Sequence, residues 1–174
     1  IGFRPEGAGY RHFVYQSLLA RLRRDGVLLV AVSRNDPAVV RAPLRSATMP
    51  LEESDFVAVV ASYHAKSAQI RQIAHELNLG LDAFVFVDDN PVELEEVQQA
   101  LPGIKTLAFP AHDEHLPGFL DVLEALFGHS EVTDEDRART TLYRRRLEGM
   151  APVEAEGTNL THFLSELQMR LVVH

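Results

Sequence analysis

The chain has 174 residues, 46% of them apolar, and a formal net charge of -8; that supports one well-buried α/β core with a small appendage, and nothing in it implies two full domains. The acidic balance argues against a nucleic acid or an anionic membrane as partner, so a phosphorylated metabolite would need a local cationic pocket or a metal. With no cysteine, these residues hold no disulfide frame, no thiolate zinc site and no thiol nucleophile, and with no signal peptide or membrane-length apolar run the expected location is cytoplasmic.

Residues 1–9 read as irregular, with glycines at 2, 7 and 9 and no initiator Met, and the expectation is that the chain is a fragment of a longer protein. From 8 to 25 the apolar positions Tyr10, Phe13, Val14, Leu18 and Leu22 keep helical spacing. Arg21, Arg23 and Arg24 complement the dipole of the last turn as a solvated helix end, and Gly26 closes it. Val27 to Val32 is an unbroken apolar, β-branched run, the habit of a strand covered on both faces in a parallel sheet. It empties into Ser33-Arg34-Asn35-Asp36-Pro37, where a hydroxyl, a cation and an amide are able to reach a phosphate oxygen. Taken alone, the same residues read more simply as a turn in which Asp36 caps a helix opened by Pro37. That helix, 37–47, is expected to kink or break at Pro43.

Phe56 to Val60 is the next strand, followed by a helix over 67–78 that Gly80 ends. Lys66 stands at that helix's start, where a cation opposes the dipole; a flexible surface lysine explains the same placement. His64 keeps no metal spacing with a second ligand and reads as a loop residue. Phe84 to Val87 is a fully apolar strand that stops at Asp88-Asp89, with Pro91 suited to the first turn of a helix reaching Ala100. Adjacent carboxylates repel, so keeping both ionised at a strand end calls for a hard cation such as Mg2+; a helix-capping turn at Asp89 or Asn90 explains the same pattern. A short strand at 104–107 and a helix at 116–127 follow, with His112 and His115 as surface residues.

The strand-helix alternation, with short connections, predicts a Rossmann-like, three-layer α/β/α fold on a parallel sheet. Residues 1–128 form its core, and 129–174 form a C-terminal helical segment: a charged helix opened by a capping box at Thr133 and running to about Gly149, a linker at 150–158, a helix at 160–168 and a strand at 169–173. This last segment is the possible start of a further domain.

Taken in order, Ser33 at one strand end, Lys66 at a helix start and Asp88-Asp89 at a later strand end resemble motifs two, three and four of the haloacid-dehalogenase (HAD) superfamily of phosphotransferases. The local wording "VSRND", "MPLEESDF", "KSAQIRQIAHELNLGLDAFVFVDDNPVELEEV" and "VTDEDRARTTLY" resembles its FkbH-like branch, subfamily IIIC, over almost the whole chain. The resemblance implies that Ser33 hydrogen-bonds a phosphoryl oxygen, Lys66 neutralises charge on nucleophile and phosphate, and Asp88 binds Mg2+ with Asp89 as a second or water-mediated ligand. Arg34, Asn35 and Asn90 are the candidate substrate-binding residues.

It also implies a Mg2+-dependent phosphatase or glyceryl transferase that takes a glyceryl unit from a phosphorylated glycerate, 1,3-bisphosphoglycerate, and loads it onto an acyl carrier protein in polyketide biosynthesis. Two departures stand out. The nucleophile-bearing DxDxT-type strand of that family has no counterpart before Val27. Because that strand belongs at the centre of the sheet, its neighbours are expected to flank a gap, and preceding residues are expected in the full protein. The branch also commonly carries a cysteine just before the motif-two serine, proposed to hold the glyceryl thioester, and Val32 stands there. A degenerate docking module of a synthase and a plain Mg2+-dependent phosphatase remain as alternatives. A response-regulator receiver shares the acidic pair but needs a later strand ending in a phosphoacceptor Asp, and none is present.

Overall fold

The computed structural model describes residues 9–45, 49–127 and 133–149, and the backbone of 171–173. The sequence-predicted linker at 150–158 and helix at 160–168 lie outside the described residues. Six helices of two turns or more, α1 (Tyr10–Arg24), α2 (Pro37–Leu44), α3 (Lys66–Leu77), α4 (Pro91–Ala100), α5 (Leu116–Phe127) and α6 (Asp134–Leu147), surround five strands among the described residues. The strands are β1 (Leu28–Ser33), β2 (Phe56–Ala61), β3 (Phe84–Asp88), β4 (Lys105–Ala108) and β5 (Leu171–Val173), in the order β2-β1-β5-β3-β4. Every pairing is parallel. No helix among the described residues is long and apolar enough to cross a membrane.

Period-two alternation explains why the central strands are apolar throughout, since each strand feeds two cores. Leu28, Val30, Val32, Phe84 and Phe86 face one side, where Ile70, Ile73 and Leu77 of α3, Val97 of α4 and Tyr143 of α6 pack on them. Leu29, Val85 and Val87 face the other, against Tyr15, Leu19 and Leu22 of α1, Leu44 of α2, and Leu123 and Phe127 of α5. The α/β/α layering expected from the sequence is therefore present.

Several details differ from the sequence reading. The buried stripe of α1 is Tyr15, Leu19 and Leu22, whereas Tyr10 is exposed and Phe13 and Val14 are half-buried; the stripe is rotated because α1 packs against α5 as well as the sheet. Helix α2 runs through Pro43 and ends one residue later, since a proline this close to the end costs few backbone bonds. Asn78, at φ 56°, takes the left-handed position that ends α3, ahead of Gly80. Strand β4 spans Lys105–Ala108, one residue later than the apolar run predicts.

The centre of the sheet holds no gap. β5 lies between β1 and β3, with Leu171 opposite both Leu28 and Phe84 and Val173 opposite both Val30 and Phe86. Its backbone supplies partners for two strand edges that would otherwise bury unpaired N–H and C=O groups. Ser33 and Asp88 lie beyond the stretch that β5 pairs, toward the carboxyl end of the sheet.

Gly26 joins α1 to β1 at φ 94°, and a Cβ there would meet the Asp136 side chain at 2.7 Å, so both backbone angle and space require glycine. The capping box at Thr133 opens α6 as its sequence predicts, and Arg139 then clamps this helix to the α1–β1 turn. Its guanidinium donates to the Gly26 carbonyl at 3.3 Å and to Asp136 Oδ1 at 2.6 Å while largely buried. Arg139→Ala strips the turn carbonyl of this donor and Asp136 of its cation, with an expected loss of about 2–3 kcal/mol. A thermal melt of the variant checks this; an unchanged midpoint means that α6 is held by its apolar face alone.

Candidate active site

Three chain reversals at the carboxyl end of the sheet build the site. β1 delivers Ser33, whose carbonyl accepts from Ser62 N at 3.0 Å and ties the loops after β1 and β2 together. β3 delivers Asp88, whose carbonyl accepts from Phe109 N at 2.8 Å beside β4. Open α/β sheets place ligands in this crevice because the strand ends and helix N-termini leave polar groups there without intra-element partners.

Lys66 and Asp88 form an ion pair in which Lys66 Nζ donates to Asp88 Oδ2, and little of either side chain reaches solvent, 14% and 7%. Lys66 Nζ also lies 5.7 Å from the centre of the Phe86 ring, within reach of a cation–π attraction. The other oxygen of Asp88 accepts from Asn90 N at 2.9 Å. The electrostatically awkward lysine thus has its anion. Glu96 of α4 offsets the remaining penalty, accepting from Ser67 N at 3.3 Å and from the Ser67 hydroxyl, so a carboxylate sits at the start of α3 where no residue caps in sequence. Gln69 Nε2 donates to the carbonyls of His64 at 3.0 Å and Ser62 at 3.4 Å and holds the loop that carries Lys66.

Ser33, Lys66, Asp88 and Asp89 line one cleft of about 420 Å³. The other three sequence candidates do not line it. Arg34 Nη1 is 3.0 Å from Glu93 Oε1 of α4, Asn35 Oδ1 accepts from Asp36 N at 2.8 Å, and Asn90 Oδ1 accepts from Val92 N at 3.0 Å as the cap of α4. Of the two readings of the acidic turn, the helix cap is seen at Asn90, while Asp88 and Asp89 line the cleft. Asp36 likewise caps α2, receiving Ala38 N at 2.8 Å. His64 stays a loop residue, its Nδ1 3.3 Å from the Ser62 hydroxyl.

The sequence reading did not anticipate the contribution of α1, since His12, Tyr15 and Gln16 line the same cleft. The signal available was geometric: a helix that precedes a strand by a tight turn runs antiparallel to it, so its N-terminal residues return to the strand's carboxyl end. The His12 ring stacks on Phe109 with centroids 4.8 Å apart and planes 10° apart. Burial pushes its pKa below the ordinary value of 6.5, Arg11 adds to that, and Asp89 pulls the other way. The folded chain thus binds this proton less readily than the unfolded one. The stabilising contribution of neutral His12 is full above the ordinary value and is lost as pH falls from there through the depressed folded value. Between about pH 7.5 and 5.5 the parent should lose more thermal stability than His12→Gln; equal losses mean that His12 titrates as it does in the unfolded chain.

Among the described residues no group of three or more His, Asp or Glu is placed to hold a metal. Two adjacent carboxylates, one buried and one exposed, nevertheless fit Mg2+, which usually keeps several waters and takes one or two protein carboxylates together with substrate phosphates.

No protein-family model matches the sequence, and no curated relative does. A solved structure is similar: the N-terminal part of the protein BF1531 from Bacteroides fragilis, containing a phosphatase domain, complexed with Mg. The TM-score is 0.67 at 29% identity, and the match covers 74% of this chain. The chain has a HAD-like α/β fold. It spans about a third, 34%, of the BF1531 chain.

Proposed function

We propose that this chain forms the Mg2+-dependent phosphoryl-transfer site of a HAD-type phosphatase. The observation that carries the reading is the convergence of Ser33, Lys66 and the Asp88-Asp89 pair on one cleft at the carboxyl end of a parallel sheet. The Mg-bound phosphatase domain of the similar structure supports it. Asp88 and Asp89 would hold Mg2+, which when bound neutralises charge on a phosphoryl oxygen. Phosphoryl transfer asks the protein mainly for positioning and for cations near the transferring group. Lys66, fixed by Asp88, Phe86 and the Glu96-braced start of α3, supplies a cation that needs no reorganisation as negative charge develops. The Ser33 hydroxyl, in the same cleft, would donate to a phosphoryl oxygen. Overall, a phosphate ester and water become an alcohol and inorganic phosphate. β5 holds the central strand position that the family resemblance implies for the attacking carboxylate, and Val173 pairs with Val30 and Phe86, short of the level of Ser33 and Asp88.

A second, narrower reading is the FkbH-like one, in which a glyceryl unit from bisphosphoglycerate is loaded onto an acyl carrier protein for polyketide biosynthesis. Its support is the sequence wording around residues 66–97. Val32 is buried and carries no thiol, so an acyl intermediate at that position is excluded for this chain. Incubating the full-length protein with Mg2+, 1,3-bisphosphoglycerate and a holo carrier protein, then weighing the carrier, separates the readings. A glyceryl adduct establishes the narrower one, phosphate release alone the broader one, and neither product leaves a docking module without catalysis.

A further inference from the structure

The cleft that holds the polar corner continues well past it. Beyond Ser33, Lys66 and the two aspartates its wall turns apolar, running between α1 and α2 alongside β1 over Leu19, Ala31, Val40, Leu44, Leu51 and Phe56. A single phosphate fills only a small part of about 420 Å³. Among the described residues Lys66 is the one Lys or Arg on this wall, and it is already paired with Asp88. Arg34, next in the chain to Ser33, pairs with Glu93 at 3.0 Å and does not line the cleft. A substrate with two phosphates, or a phosphate and a carboxylate, thus finds a partner for one anionic end and bare hydrocarbon for the other, which leaves that charge desolvated. A substrate with one phosphate and a hydrocarbon body meets complementary surface at both ends.

From this we infer that the substrate is a phosphate monoester of an apolar alcohol, its hydrocarbon lying between α1 and α2. The inference rests on the phosphoryl-transfer reading and selects, within it, small-molecule phosphate esters over the glycerate-type polyanion. Gln16 adds a finer requirement. Its Oε1 is buried in the cleft wall and has no hydrogen-bond partner among the described residues. A hydrocarbon body bearing a hydroxyl or amide N–H at that depth would supply the missing donor; a plain alkyl chain would not.

Calorimetric titration of the full chain with Mg2+ tests this against four probes: inorganic phosphate, glycerol 3-phosphate, hexyl phosphate and hexanol. Hexyl phosphate is expected to bind at least tenfold more tightly than glycerol 3-phosphate and than hexanol, with a negative heat-capacity change from buried apolar surface. Val40→Trp, which fills the cleft from the partly exposed face of α2, is expected to erase the tenfold advantage. Gln16→Leu, which removes the unpaired acceptor, is expected to strengthen hexyl phosphate binding several-fold. Inorganic phosphate and both phosphate esters binding alike overturns the inference while the phosphoryl site stands. Hexanol binding as tightly as hexyl phosphate overturns both, because the polar corner then adds nothing. Weaker hexyl phosphate binding by a folded Gln16→Leu variant also counts against the assignment.

Discussion

Asp88→Asn is expected to abolish Mg2+-dependent phosphate release by the full-length protein, a loss of at least about a thousandfold. Asparagine has nearly the same shape and retains an Oδ1 acceptor for the Asn90 N–H, so the turn into α4 keeps its hydrogen bond. What it removes is charge. A hard cation loses its buried carboxylate, and Lys66 is left largely desolvated with no anion beside it. Asp89, which is exposed, cannot replace it, because water screens a carboxylate there and nothing aligns it with Lys66. Released phosphate and a circular-dichroism melt read activity and folding separately. Unchanged turnover by a folded variant would place the metal site elsewhere.

Phe86→Ala is expected to cost about 3–5 kcal/mol, most of the margin by which a small domain stays folded. Phe86 is fully buried on β3 in the core formed with α3 and α4, and it also underlies Lys66. Truncation opens a cavity beside the central strand position and removes the ring that the ammonium faces. Phe86→Leu keeps most of the volume and is expected to cost less than about 1.5 kcal/mol. That variant isolates the ring's effect on Lys66, because the fold survives while the cation–π contact does not. Urea unfolding midpoints for the pair check the expectation; an alanine variant within about 1 kcal/mol of the parent would mean that β3 is not a core strand.

The apolar runs at 28–32 and 84–87 announce strands covered on both faces, because in a parallel sheet each side of the strand meets a helix layer. The acids at 88–89, the serine at 33 and the misplaced lysine at 66 each interrupt a local pattern, but that pattern reads as well or better as a cap, a turn or a surface lysine; their order, which resembles the HAD motifs, is what marked them as candidates. Less legible was how the turn residues divide their labour. Asn35, Asp36 and Asn90 carry polar atoms as suited to a ligand as to a backbone N–H two residues on, and only coordinates show that all three turn back to the chain.

By itself, then, the sequence determined the layering, the direction of the strands and the end of the sheet where the candidate site lies, since all three follow from local periodicity and from short right-handed connections. The tertiary structure decided which groups meet. It paired Lys66 with Asp88 and Arg34 with Glu93, placed Glu96 at the head of α3, brought the C-terminal strand β5 between β1 and β3, and gave His12 and Gln16 of α1 a share of the cleft. These contacts join residues far apart in the chain. Their free energy depends on distance and burial, which no local pattern encodes.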